Sequence, residues 1–229
     1  LFLFSVKRRW LTTVIPLVFA GFFALVSYSR SLGWSDSLSL WNDVLQKYPN
    51  ASAALINRGN AWQAEEYFSR AVADYSAALE FEPRAADAYM NRGLAYYRMD
   101  KTLNAKEDFD RAIALGLQDA ETYNNRGLLN ASLNRIDEAL RDFRQSTRID
   151  PGFTDAYINL GLVHSSRNEY NLAFEAYSNA LRADPASARA YFWRGMMQLS
   201  TGQQSAGCRD LKTASSLGWP AEQIPEICK

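Results

Sequence analysis

Glycine stands at positions 59, 93, 127, 161 and 195, thirty-four residues apart each time, in the phrases NRG, NRG, NRG, NLG and WRG. A period kept through five cycles constrains the chain more than any composition can. It means one small supersecondary unit used repeatedly, and a unit of that size buries its apolar side only by stacking on its neighbours. With the glycine as position 8, the units run 52–85, 86–119, 120–153, 154–187 and 188–221.

Other positions keep the same phase. Position 4 is Leu55, Tyr89, Tyr123, Tyr157 and Tyr191, and position 24 is Tyr75, Phe109, Phe143, Tyr177 and Leu211, large residues suited to packing. Position 20 is Ala71, Ala105, Ala139, Ala173 and Gly207, small enough to let two helices approach beside the glycine. Pro83, Pro151 and Pro185 at position 32 stop a helix by removing a donor and crowding the preceding turn. The second unit ends in Gly116-Leu117 instead, a glycine suited to a C-cap.

Residues 52–221 thereby resemble the tetratricopeptide-repeat (TPR) family. The resemblance implies an all-α fold, a right-handed TPR superhelix (α-solenoid) of helix-turn-helix repeats whose first helices line a concave groove. Ser37, Trp41, Val44 and Pro49 fall at positions 20, 24, 27 and 32 of a leading half repeat, so 29–51 is expected to be a linker followed by an N-terminal packing helix. Residues 222–229 are expected to cap the apolar face of the last helix.

Position 7 is Arg58, Arg92, Arg126 and Arg194 in four units, and in the same units position 23 is Asp74, Asp108, Asp142 and Asp210. The fourth unit has Leu160 and Ala176, losing both charges together. Pairing between adjacent units would leave Asp142 facing Leu160, so the pairs are expected to meet within a unit, as structural ion pairs. A partly buried charge left alone costs about 3–5 kcal/mol, which favours keeping or losing both partners.

Family geometry places positions 2, 5, 6, 9, 12 and 13 on the groove. Position 6 carries Asn57, Asn91, Asn125 and Asn159, then Trp193. An amide both donates and accepts, so such a row suits the backbone of an extended peptide, and similar ladders occur in the TPR superhelix of O-GlcNAc transferases. The same amides could instead cross-link neighbouring helices. Asn60, Tyr97 and Phe192 complete the expected peptide-binding set, with the apolar C-terminal end as the stronger anchor. Position 5 lacks the lysines that chaperone-tail binders of this family use, so a chaperone tail is not the expected ligand.

Twenty-five basic residues balance twenty-five acidic ones, which argues against a nucleic-acid partner. Two cysteines and one histidine do not suffice for a four-ligand zinc site, so no metal and no cofactor is expected. No nucleotide-binding, metalloprotease or nucleophile-elbow motif occurs, and the chain reads as no enzyme. Cys208 and Cys228 meet if the cap folds back. A disulfide there would close a loop of about twenty residues and contribute up to about 3 kcal/mol, the alternative being two buried thiols.

Residues 10–28 carry no charge, and about nineteen residues at 1.5 Å give roughly 28 Å of helix, enough to span a bilayer. Lys7, Arg8 and Arg9 precede this expected transmembrane helix, which places the TPR domain on the extracytoplasmic (periplasmic or lumenal) side. A cleaved signal peptide is the alternative. Residues 1–9 read as a cytoplasmic loop, with Leu1–Phe4 the end of an earlier span. The expected function is a membrane-anchored scaffold that binds a protein or extended peptide. Trp34, Asp36, Leu40 and Trp41 also resemble the junction of polytopic glycosyltransferases with C-terminal TPR modules, which would make the chain an acceptor-binding module.

Overall fold

The computed structural model describes residues 36–228, and the expected span at 10–28 lies outside them. The chain divides after Pro83 into two compact units. In the first, α1 (Ser37–Lys47), α2 (Ser52–Ala64) and α3 (Phe68–Phe81) form the half repeat and the first full repeat. Asp36 starts α1 with a capping box: its carboxylate accepts from the Ser39 amide at 2.7 Å, and Ser39 Oγ accepts from the Asp36 amide.

The second unit holds four repeats as helix pairs: α4 (Ala86–Arg98) with α5 (Thr102–Ala114), α6 (Ala120–Ser132) with α7 (Ile136–Ile149), α8 (Thr154–Ser166) with α9 (Tyr170–Ala183), and α10 (Ala188–Ser200) with α11 (Gln204–Ser216). Two single-turn 3-10 helices, Ala221–Gln223 and Glu226–Cys228, close the chain. Among the described residues there is no strand. Each pair packs on the next, and first helix meets first helix from α4 to α6 to α8 to α10.

The repeated positions explain the pairing. Tyr75, Phe109, Phe143, Tyr177 and Leu211 are all 0–1% exposed, each wedged over the glycine of its own first helix. A Cβ on Gly127 would lie 2.6 Å from Phe143 Cε1, so only a bare backbone admits the ring. Burying one such side chain stabilises by about 1.5–3 kcal/mol. In the fifth repeat Leu211 replaces the ring, and Gly195 and Gly207 bring their backbones together: a Cβ on Gly207 would sit 2.8 Å from the Gly195 carbonyl oxygen.

Second helices leave by two routes. Where proline follows, Glu82, Asp150 and Asp184 leave the helical region, with φ of −132°, −128° and −136°, because the proline ring crowds the residue before it. Without the proline, Gly116 and Gly218 turn the chain through left-handed φ of 99° and 97°.

Candidate protein-interaction face

The four arginines at position 7 each grip the aspartate sixteen residues on. Arg58 donates from Nε and Nη2 to Asp74 at 2.7 Å and 2.7 Å. The Arg92–Asp108 distances are 2.8 and 2.8 Å, those of Arg126–Asp142 3.0 and 2.7 Å, and those of Arg194–Asp210 2.6 and 3.0 Å. This two-point geometry is the strong form of the arginine–carboxylate bond. The four carboxylates are buried. The hydrogen bond to its aspartate raises the pKa of Arg58 and of Arg92 above the ordinary arginine value, against the opposing effect of burial. At Arg126 burial is the largest influence and disfavours the charge, yet Asp142 and Asp110 together outweigh it and the pKa is raised.

The third guanidinium nitrogen reaches back a repeat, which sequence reasoning missed. Arg58 Nη1 donates to Asn42 Oδ1 at 2.9 Å, Arg126 Nη1 to Asp110 Oδ1 at 3.0 Å, and Arg194 Nη1 to Ser178 Oγ at 3.2 Å. All three acceptors occupy position 25 of the preceding repeat. The available signal was the exception: the residue preceding Leu160 by sixteen is Arg144, another cation, so all three polar members change together. Leu160 and Ala176 are instead buried with Phe143 and Val163 in one apolar cluster.

The expected groove residues separate into distinct environments. Asn57, Asn91, Tyr97 and Trp193 are half-buried, and Asn60 is exposed, its carbonyl accepting from Tyr75 Oη at 2.7 Å. Asn125 is half-buried, with its Nδ2 buried and without an acceptor. The other two are buried. Asn159 is 4% exposed: its Nδ2 donates to Asn124 Oδ1 at 2.8 Å, and its carbonyl accepts from Arg189 Nη2 at 3.4 Å. It therefore cross-links α6, α8 and α10, the alternative that the amide row left open. Phe192 is 7% exposed because Trp219 of the cap stacks on it, centroids 4.4 Å apart and planes at 20°. Trp193 meets Phe192 edge-on at 5.2 Å.

Cys208 and Cys228 are joined as a disulfide, Cα atoms 4.9 Å apart. The lone histidine, His164, is buried and donates from Nδ1 to Glu169 at 2.5 Å. That bond, with Arg167 Nε 2.9 Å away, holds the Glu169 carboxyl below the usual carboxylate range. Among the described residues no group of three or more metal-ligating side chains gathers, and no helix is long and apolar enough to cross a membrane.

A family model described as TPR repeat matches residues 59–100, and three described as tetratricopeptide repeat match 86–115, 120–153 and 158–206. No curated protein matches the chain in sequence. Several solved structures share the fold. YrrB, described as a TPR protein with an unusual peptide-binding site, is 20% identical with a TM-score of 0.61, over 78% of this chain and 92% of that one. MamA is 24% identical with a TM-score of 0.62, over 69% and 93%. The pilF protein of Pseudomonas aeruginosa is 20% identical with a TM-score of 0.69, over 74% and 78%. At these identities the likeness is one of fold.

Proposed function

We propose, from the premise that the chain carries tetratricopeptide repeats, that it is a binding scaffold for an extended peptide or protein segment. The ligand lies across the first helices α4, α6, α8 and α10, and residues 10–28 anchor the scaffold in a membrane with its repeats on the extracytoplasmic side. One observation carries the binding reading: Asn91 on α4, Asn125 on α6 and Trp193 on α10 share position 6 of their repeats and are all half-buried, each keeping part of its surface open. An amide both donates and accepts, which suits the backbone of an extended ligand, and an indole adds an apolar anchor. Met90, Leu94 and Tyr97 on α4, all half-buried, supply apolar contact. The peptide-binding site that names YrrB supports the same use of the fold.

A photo-crosslinking residue in place of Trp193 tests the reading. The expected result is capture of a discrete partner from native membranes, lost when Asn125 is changed to Ala. Equal capture by the same probe at the exposed Lys212, on a second helix, would overturn it.

A further inference from the structure

We propose that the Cys208–Cys228 disulfide is a redox latch, opened by a dithiol reductant of the thiol–disulfide oxidoreductase class, that releases the C-terminal cap from the last helix pair. The cap is weakly built. It leaves α11 through the left-handed Gly218 and consists of two single-turn 3-10 helices, the less favourable helical geometry. Its buried anchors are Ile224, 5% exposed, and Cys228, 4% exposed, with Trp219 stacked on Phe192. Seating Trp219 carries a penalty, because its Nε1 is buried without an acceptor. Ile227 points outward, 63% exposed. A segment with so few anchors is held chiefly by its covalent bond.

The helix pair beneath is held independently. Arg194 grips Asp210 through two hydrogen bonds, and Gly195 and Gly207 bring the two backbones into contact. None of these contacts involves a sulfur. Opening the latch therefore frees the cap and leaves α10 and α11 paired. What it uncovers is the face formed by Phe192, Leu211 and Ala214, the surface on which a further repeat would stack. Trp193 rests against Phe192, so the change reaches the C-terminal end of the first-helix face.

The chemistry balances with one dithiol. Cys208 is half-buried and Cys228 only 4% exposed, so the reductant's thiolate attacks Cys208 Sγ. A mixed disulfide forms, the Cys208–Cys228 bond breaks, and Cys228 leaves as a thiolate that takes up a proton. The reductant's second thiol then attacks its own sulfur in the mixed disulfide and releases Cys208 as a thiol. Two electrons and two protons pass to the protein, and the reductant becomes a disulfide.

Hydrogen exchange of the full chain, with and without dithiothreitol as the dithiol, tests the latch. The Gln223, Ile224 and Cys228 amides, which hydrogen-bond within the cap, should exchange at least tenfold faster on reduction while α10 and α11 are unchanged. The Cys208→Ser/Cys228→Ser double variant should reproduce this without reductant. Any of three results overturns the proposal: a cap still protected after both thiols are shown free, α10 and α11 losing protection together with the cap, or a bond that dithiothreitol does not open.

Discussion

Arg126 distributes one guanidinium over two repeats; without it Asp110 still has Lys106, whereas the buried Asp142 loses both of its charged hydrogen bonds. Asp142 would keep only the Asn130 amide, 2.9 Å away, as a donor, in a site that is 5% exposed. Arg126→Ala should therefore destabilise by about 3–5 kcal/mol. The double change Arg126→Leu with Asp142→Ala, which copies the fourth repeat, should cost less than Arg126→Ala alone. Denaturant titration of a double-mutant cycle checks this, and additive costs would refute the coupling. The pairing was legible because both ends recur in phase and vanish together in one repeat. The reach back to Asn42, Asp110 and Ser178 was not, since those residues share polarity but not identity. Asn159 follows the cross-linking alternative, and position rules did not foresee that Phe192 would be buried. They place a residue on a helix face but know neither the amide neighbours of Asn159 nor the Trp219 that covers Phe192, because the cap lies outside the repeating pattern.

Each helix pair turns through one left-handed residue at position 15: Glu66, Asp100, Asn134, Asn168 and then Gly202, with φ between 57° and 79°. A side chain there meets the following carbonyl, at a cost of about 1–2 kcal/mol, which glycine avoids and asparagine reduces. Glu66 fits that conformation worst of the five and is exposed, so nothing is lost with its side chain. Glu66→Gly should stabilise the first unit by about 1 kcal/mol, read as a higher melting temperature, and a lower one would contradict the account. The turn itself was legible from the period. Its strained residue was not, because Glu, Asp, Asn, Asn and Gly look unrelated until the backbone shows what they share. The helix exits were easier to read, since proline in three repeats and glycine in the second each dictate a backbone conformation.

Taken whole, the chain joins a stacked array to an uncharged segment at 10–28, and the membrane proposal makes a prediction at that scale. The full chain should stay in the membrane fraction through alkaline carbonate extraction, and the chain lacking residues 1–35 should not. Release of the full chain by carbonate would end the proposal. Within the larger unit the seams between repeats differ in kind. Arg126 bonds the third repeat to the second, and Arg194 bonds the fifth to the fourth. Leu160 leaves the third and fourth in apolar contact at the corresponding place. Two directional bonds nevertheless cross that third seam, Asn159 Nδ2 to Asn124 Oδ1 at 2.8 Å and Arg167 Nη1 to Asp137 Oδ1 at 3.1 Å, so tilting one repeat against the next breaks a hydrogen bond at every one of the three. Exchanging one arginine for leucine thus relocates the directional contact of that seam, from the paired side of the first helix to an amide bridge between first helices, and the register between neighbours is kept by a different set of atoms.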